Sequence, residues 1–268
     1  YMPENPLVQL HEYGQSAWLD NIDRTLLSSG ELQRLVSRGE VQGVTSNPTI
    51  FQAAIAGCAE YDPAIQALTE AGKDTLAIWE ALSTEDIRAA ASILAPVFEA
   101  TQGGDGYVSI EVEPALAHDR QGTVTEAQRL FNAIARPNVM IKVPATQEGV
   151  AALAELIAAG VNVNATLIFS PDNYEQIAYA YIEGLERLAA HGAPPAAPAS
   201  VASFFVSRVD TAVDRLLEAL LKETPDPGEQ ARIRGLLGQA AIANAKVAYQ
   251  RFKQIFGQER FLSLRRQG

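Results

Sequence analysis

Val139-Met140-Ile141-Lys142-Val143-Pro144 is an apolar run with a single lysine set into it. Its length and β-branched content mark a strand buried on both faces, as strands of parallel sheets are. Side chains alternate along a strand, so Lys142 shares a face with Met140 and Pro144, and Ile141 and Val143 point the other way. Lysine is almost never fully buried without a reason. Burial favours the neutral amine, the form that attacks a carbonyl to make a Schiff base. A structural reading stands beside that one: an edge position, or a pair with a buried carboxylate. From this strand alone the two are level.

The strand run that holds this stretch is Asn138–Thr146, and outward from it similar runs recur at Ser16–Asp20, Gln42–Pro48, Gly106–Glu113, Gly160–Phe169 and Ser200–Val206. Helix-period stretches lie between them: Glu31–Arg38, Thr84–Thr101, Glu126–Ala135, Gln147–Ala159, Pro171–Ala190 and Thr211–Lys222. Thr123 with Glu126, and Ser83 with Asp86, have capping-box spacing. Ser170 then Pro171 reads as a helix start, and Gly160 and Gly192 as helix stops. The Pro-rich stretch Ala193–Pro198 reads as a short loop before a strand. Strand then helix, repeated six times, predicts an α/β fold with a parallel sheet. No Gly-x-Gly-x-x-Gly turn follows the first strand, which argues against an open dinucleotide-binding sheet. A polar residue near the C-terminal end of almost every strand favours a TIM-type (β/α)8 barrel, where the chemistry sits at that end. The length of 268 residues suits one such domain, spanning 1–268.

The formal net charge of −11 argues against nucleic acid or an anionic membrane surface as a partner. A phosphate substrate would then need a local cationic exception to that field. Cys58 is the only cysteine, so no internal disulfide forms, which suits a reducing compartment. No signal-like N-terminal segment or membrane-spanning run is evident, so the cytoplasm is expected.

The polar residues on the other strands change the weighting for Lys142. Glu111 and Glu113 share a face of Ser109-Ile-Glu-Val-Glu113, and Asn162, Asn164 and Thr166 share one on the next strand but one. Asp20 ends Ala-Trp-Leu-Asp, and Asn47 ends Gly-Val-Thr-Ser-Asn. Each has a plain alternative. Asp20 could cap the next helix, Asn47 before Pro48 is a common turn residue, and Asn164 and Thr166 could bond each other. Glu113 before Pro114 reads as loop. Five strands ending in polar side chains within apolar runs are more simply explained by a polar pocket than by stability.

Gly43-Val-Thr-Ser-Asn-Pro-Thr-Ile-Phe51 and Met140-Ile-Lys-Val-Pro-Ala-Thr146 resemble two signatures of the transaldolase family. Ser109–Glu113, Val163-Asn-Ala-Thr-Leu-Ile-Phe-Ser170 and Ala202-Ser-Phe-Phe-Val-Ser-Arg-Val-Asp210 resemble its third, fifth and sixth strands in order. The opening segment is similar to the longer subfamily, some of whose barrels are fused to a phosphoglucose isomerase domain. The resemblance implies transfer of a dihydroxyacetone unit from a ketose phosphate to an aldose phosphate, within the non-oxidative pentose phosphate pathway. It implies Lys142 as Schiff-base nucleophile, Asp20 as acid–base group at carbon–carbon cleavage, and Glu111 with Thr166 managing a proton-shuttling water. Asn47, Asn164, Ser203 and Phe205 would contact the three-carbon unit, and Arg208 would anchor a phosphate. Taken alone, Arg208 is equally a surface arginine paired with Asp210.

The resemblance also implies no metal and no diffusible cofactor, the iminium being the electron sink. His11, His118 and His191 are not at mutual ligand spacing. The alternatives are a related class I aldolase that does not pass the unit on, and an inactive or incomplete barrel. Only about six of the eight strands are evident, and the stretch Phe261–Gly268 stands where the seventh should begin. The expectation is a sequence incomplete at its C-terminus, the other reading being a missing wall supplied by another chain, with weak phosphate binding and poor activity if the chain ends there. Oligomeric state is left open.

Overall fold

The computed structural model describes residues 5–192, 194 and 198–267. The loop expected at Ala193–Pro198 lies, apart from residues 194 and 198, outside them. The chain divides into two compact units, residues 1–116 with 122–142, and residues 117–121 with 143–268.

The first unit holds four strands: β1 (Trp18–Leu19), β2 (Gly43–Thr45), β3 (Val108–Glu111) and the beginning of β4 (Val139–Pro144). They pair in parallel, with Trp18 opposite Gly43, Val44 opposite Val108 and Glu111 opposite Lys142. Its helices are α1 (Pro6–Gln9), α2 (Arg24–Ser28), α3 (Glu31–Ser37), α4 (Pro48–Gly57), α5 (Asp62–Glu70), α6 (Thr75–Ala100) and α7 (Arg120–Ile134, whose first two residues fall in the second unit). The core is built from Val44, Val108, Ile110 and Ile141 on the strands, and from Ile87, Ala90, Ala91 and Leu94 on α6, each at most 1% exposed. Their spacing on α6 is one helical stripe, which is why the helix lays that face inward. Gly43 shows how closely β2 meets β1. A Cβ there would sit 2.4 Å from the Trp18 indole, so only glycine allows this approach. The indole is held by its Nε1 donating to Asp105 Oδ1 at 3.0 Å and by stacking on Tyr107.

The second unit holds the end of β4, then α8 (Gln147–Ala158), β5 (Val163–Ile168), α9 (Pro171–Ala190), β6 (Ser200–Phe204), α10 (Ser207–Glu223), α11 (Pro227–Arg234), α12 (Ala240–Phe256) and α13 (Glu259–Arg265). β5 and β6 are parallel, with Val163 opposite Ser200 and Ala165 opposite Ala202. Their register shifts between Ala165 and Ile168, where Leu167 takes φ +60. A leucine in the left-handed region costs about 1–2 kcal/mol, an irregularity tolerated at a bulge.

The α/β alternation expected from the sequence is the one observed, and all six strands fall inside the expected runs. The helix starts divide. Ser170 does cap α9, accepting from Asn173 N at 3.2 Å, and Gly160 and Gly192 do end helices in left-handed conformations. The two capping boxes are not boxes. Thr123 lies inside α7, its hydroxyl donating to Leu116 O at 2.9 Å. Ser83 and Asp86 lie inside α6, which begins earlier at a different cap: Asp74 accepts from Ala77 N at 2.8 Å.

Candidate active site

Every residue of β4 is buried, and in the first unit Lys142 is 6% exposed. Burial there follows from the apolar alternation around it, which carries the lysine inward with the rest of the strand. Its Nζ lies 3.3 Å from Thr45 Oγ1 and 3.3 Å from Ser46 O, so it donates to two oxygens of the β2 end. Lys142 O accepts from Val112 N at 3.1 Å, which holds β3 and β4 together beyond Glu111. Glu111, opposite Lys142 in the ladder, has its carboxyl raised above the usual carboxylate range. Burial is the main cause, the Lys142 charge pulls the other way, and the Asp20 charge adds to the rise. Asp20, Glu111 and Lys142 therefore form one electrostatically coupled group.

Asp20 is not a helix cap. That position belongs to Asp23, whose Oδ1 accepts from Leu26 N at 2.7 Å, leaving Asp20 just past β1 and exposed. Asn47 is the cap of α4, accepting from Ile50 N at 3.0 Å through Oδ1. One side-chain atom is thus taken by the helix start, and the amide nitrogen is its remaining polar group. Glu113 is exposed loop, as expected. Thr45 and Ser46 were not singled out by sequence reasoning. The alternation of β2 puts Thr45 on the face of Asn47, a signal that was available.

In the second unit, Asn164 and Thr166 are each 1% exposed on β5. Ser203 Oγ donates to Asn164 Oδ1 at 2.7 Å, joining β6 to β5 through side chains. Asn162, on the same face, serves the backbone, its Oδ1 accepting from Ala199 N at 2.9 Å. Phe205 packs on Phe169 at 5.1 Å between ring centroids. The Arg208 guanidinium lies over the Phe205 ring at 4.9 Å, an arrangement that pre-orients an arginine in the first turn of α10. Asp210, its suggested partner, turns instead to the start of α12 and accepts from Ala241 N at 2.8 Å. Thr146 caps α8. Its neighbour Gly149 comes so close to the end of β4 that a Cβ would lie 1.9 Å from Pro144 O.

An apolar groove of about 460 Å³ also lies in this unit, lined by Tyr174, Tyr181, Val201, Phe204, Tyr249 and Phe252 among others. Its polar lining residues are Ser200 and three tyrosines, and neither Ser203 nor Arg208 lines it. Among the described residues, no group of three or more His, Cys, Asp or Glu side chains is arranged to hold a metal. No helix of the described residues is long and apolar enough to cross a membrane.

The family model described as Transaldolase/Fructose-6-phosphate aldolase matches residues 17–262. The chain belongs to this family. Transaldolase-family relatives match along its whole length. The protein named Transaldolase from Trichodesmium erythraeum is 46% identical over 267 residues, 100% of this chain and 70% of its own length. Transaldolase 2 of Nostoc punctiforme is 47% identical over 264 residues, 98% of this chain and 69% of its own. Transaldolase of Saccharopolyspora erythraea is 45% identical over 262 residues, covering 98% and 68%. Membership in the transaldolase family brings the (β/α)8 barrel class with it, and six of its strand–helix units lie among the described residues. Lys142, Glu111 and the Gly43–Phe51 motif all lie within the matched span.

Proposed function

We propose that this chain is a transaldolase, a transferase that moves a dihydroxyacetone unit from a ketose phosphate to an aldose phosphate through a Schiff base on Lys142. The observation that carries the reading is the buried β4 lysine, its amine held by two oxygens of β2 and coupled to Glu111, in a chain of this family. Fructose 6-phosphate or sedoheptulose 7-phosphate would be the donor, and glyceraldehyde 3-phosphate or erythrose 4-phosphate the acceptor. The setting is the cytoplasmic, non-oxidative pentose phosphate pathway.

The chemistry assigns distinct tasks to the two carboxylates. Lys142 attacks the ketose carbonyl. Glu111, its carboxyl raised by burial, supplies a proton as the carbinolamine loses water, with Thr166 sharing the water involved. Asp20 takes the proton of the hydroxyl whose carbon is being released, and returns it when the acceptor aldehyde is attacked. The iminium accepts the electron pair of the broken carbon–carbon bond. Asn47, Asn164 and Ser203 bind the hydroxyls of the three-carbon unit, Phe205 forms an apolar wall, and Arg208 takes the phosphate.

Borohydride trapping with fructose 6-phosphate, followed by peptide mapping, tests this directly. The label should lie on the Lys142 peptide, and a label elsewhere or none at all would sink the reading. Acceptor dependence separates transfer from simple aldol cleavage: free dihydroxyacetone released at the same rate without an aldose phosphate would favour the aldolase activity that the family description also names. Arg208→Ala should raise KM for fructose 6-phosphate by about tenfold, the loss of one charged hydrogen bond, and leave trapping of unphosphorylated dihydroxyacetone near wild type. An equal loss for both substrates would remove Arg208 from the phosphate role.

A further inference from the structure

The Lys142 amine has two acceptors on one segment, Thr45 Oγ1 and Ser46 O, each 3.3 Å from Nζ. That segment is itself fixed. Ser46 is fully buried and its Oγ donates to Ser109 O at 2.7 Å, and Thr45 is paired with Ser109 in the β2–β3 ladder. A neutral amine carries two N–H bonds and one lone pair. Acceptors for both hydrogens on the β2 side leave the lone pair turned away from β2.

We propose that Thr45 is a positioning residue for the nucleophile: its hydroxyl, with the Ser46 carbonyl, holds the neutral Lys142 amine with its lone pair toward the incoming ketose carbonyl. This rests on the Schiff-base reading of Lys142. In the step concerned, the lone pair forms the C–N bond while the carbonyl π pair moves to oxygen. One N–H proton is lost from nitrogen and one proton is gained by that oxygen, giving the carbinolamine, which takes up one further proton from Glu111 as its C–O bond breaks to leave water and the iminium. The Ser46 carbonyl is backbone and cannot be varied by substitution, so Thr45 is the position where the arrangement can be tested.

Loss of positioning slows attack at every pH, including the alkaline plateau of the trapping rate. The experiment is the rate and end-point of borohydride trapping with fructose 6-phosphate across pH, for the full chain and for Thr45→Val, Thr45→Ala and Thr45→Ser. The valine and alanine variants should trap at least about tenfold more slowly on the plateau, yet reach the wild-type end-point of label on Lys142. The serine variant, which keeps the oxygen, should stay within about twofold of wild type. Wild-type protein unlabelled at Lys142 would overturn the Schiff-base reading itself. With wild type labelled there, a wild-type plateau rate in both Thr45→Val and Thr45→Ala overturns the positioning role, whatever their end-points. A serine variant as slow as the other two also overturns it, since packing and not the hydroxyl would then be at work.

Discussion

Glu111 feels both a cation and an anion, and burial besides, and its acidity follows from all three. Burial raises its carboxyl, Lys142 opposes the rise and Asp20 adds to it. Lys142→Met should therefore raise the Glu111 pKa further, and Asp20→Asn should lower it. Carbon-13 titration of the Glu111 carboxyl would read both directions, and a shift of the same sign in the two variants would break the coupled group. As a proton donor, Glu111 should make carbinolamine dehydration fall as pH rises through its raised pKa. Glu111→Gln should abolish that limb of the pH–rate profile and slow trapping by about a hundredfold or more. Much of this was legible in the sequence, because a charged residue inside an apolar alternating run is conspicuous. Thr45 and Ser46 were not, because small polar side chains at a strand end are ordinary in turns, and one of the two contacts is a backbone carbonyl.

At the scale of elements, the first unit is pinned by a buried polar cluster. Asp86 on α6 is 3% exposed and accepts from Tyr61 Oη at 2.6 Å and from Arg24 Nε at 3.1 Å. Arg24 also lies over the Tyr61 ring at 4.8 Å. Thr25 and Cys58, and Ser28 and Glu60, add contacts between α2 and residues 58–60. The segments that follow Asp20 and Asn47 are thus tied to one helix. Asp86→Ala should cost about 3 kcal/mol in denaturant unfolding, since it removes the buried acceptor of both Tyr61 Oη and Arg24 Nε and leaves Arg24 with Glu85 alone. Tyr61→Phe should cost about 2 kcal/mol, and the double variant less than the sum. Gly149→Ala, which forces a methyl group onto Pro144 O, should cost about 3 kcal/mol. Strands and long helices could be read from periodicity, and Pro171–Ala190 matches α9 at both ends. The caps of α6 and α7 could not. Ser83 and Asp86 have the spacing of a cap but lie on the inward stripe of a longer helix, where Asp86 is satisfied by residues 62 and 25 positions away. Local spacing carries no information about such partners.

At the scale of the whole molecule, the charge of −11 sets a background that repels sugar phosphates, so binding must come from local cations such as Arg208. The groove beside β6 is a separate feature, with Tyr249 and Phe252 59% and 43% exposed on one side of it. It should bind an apolar fluorescent dye, and Phe252→Glu should reduce that signal without changing the trapping rate at Lys142. Dye binding unchanged in Phe252→Glu would show that the dye goes elsewhere. The stack of Trp18 between Gly43 and Tyr107 has a practical consequence as well. The chain's two tryptophans, Trp18 and Trp79, both belong to the first unit. Tryptophan emission, excited where tyrosine does not absorb, is therefore a built-in reporter for residues 1–116 and 122–142 alone, while far-ultraviolet dichroism sums over every helix in the chain. Comparing the two signals during denaturation asks, with no label attached, whether the lysine's half of the chain melts in step with the rest.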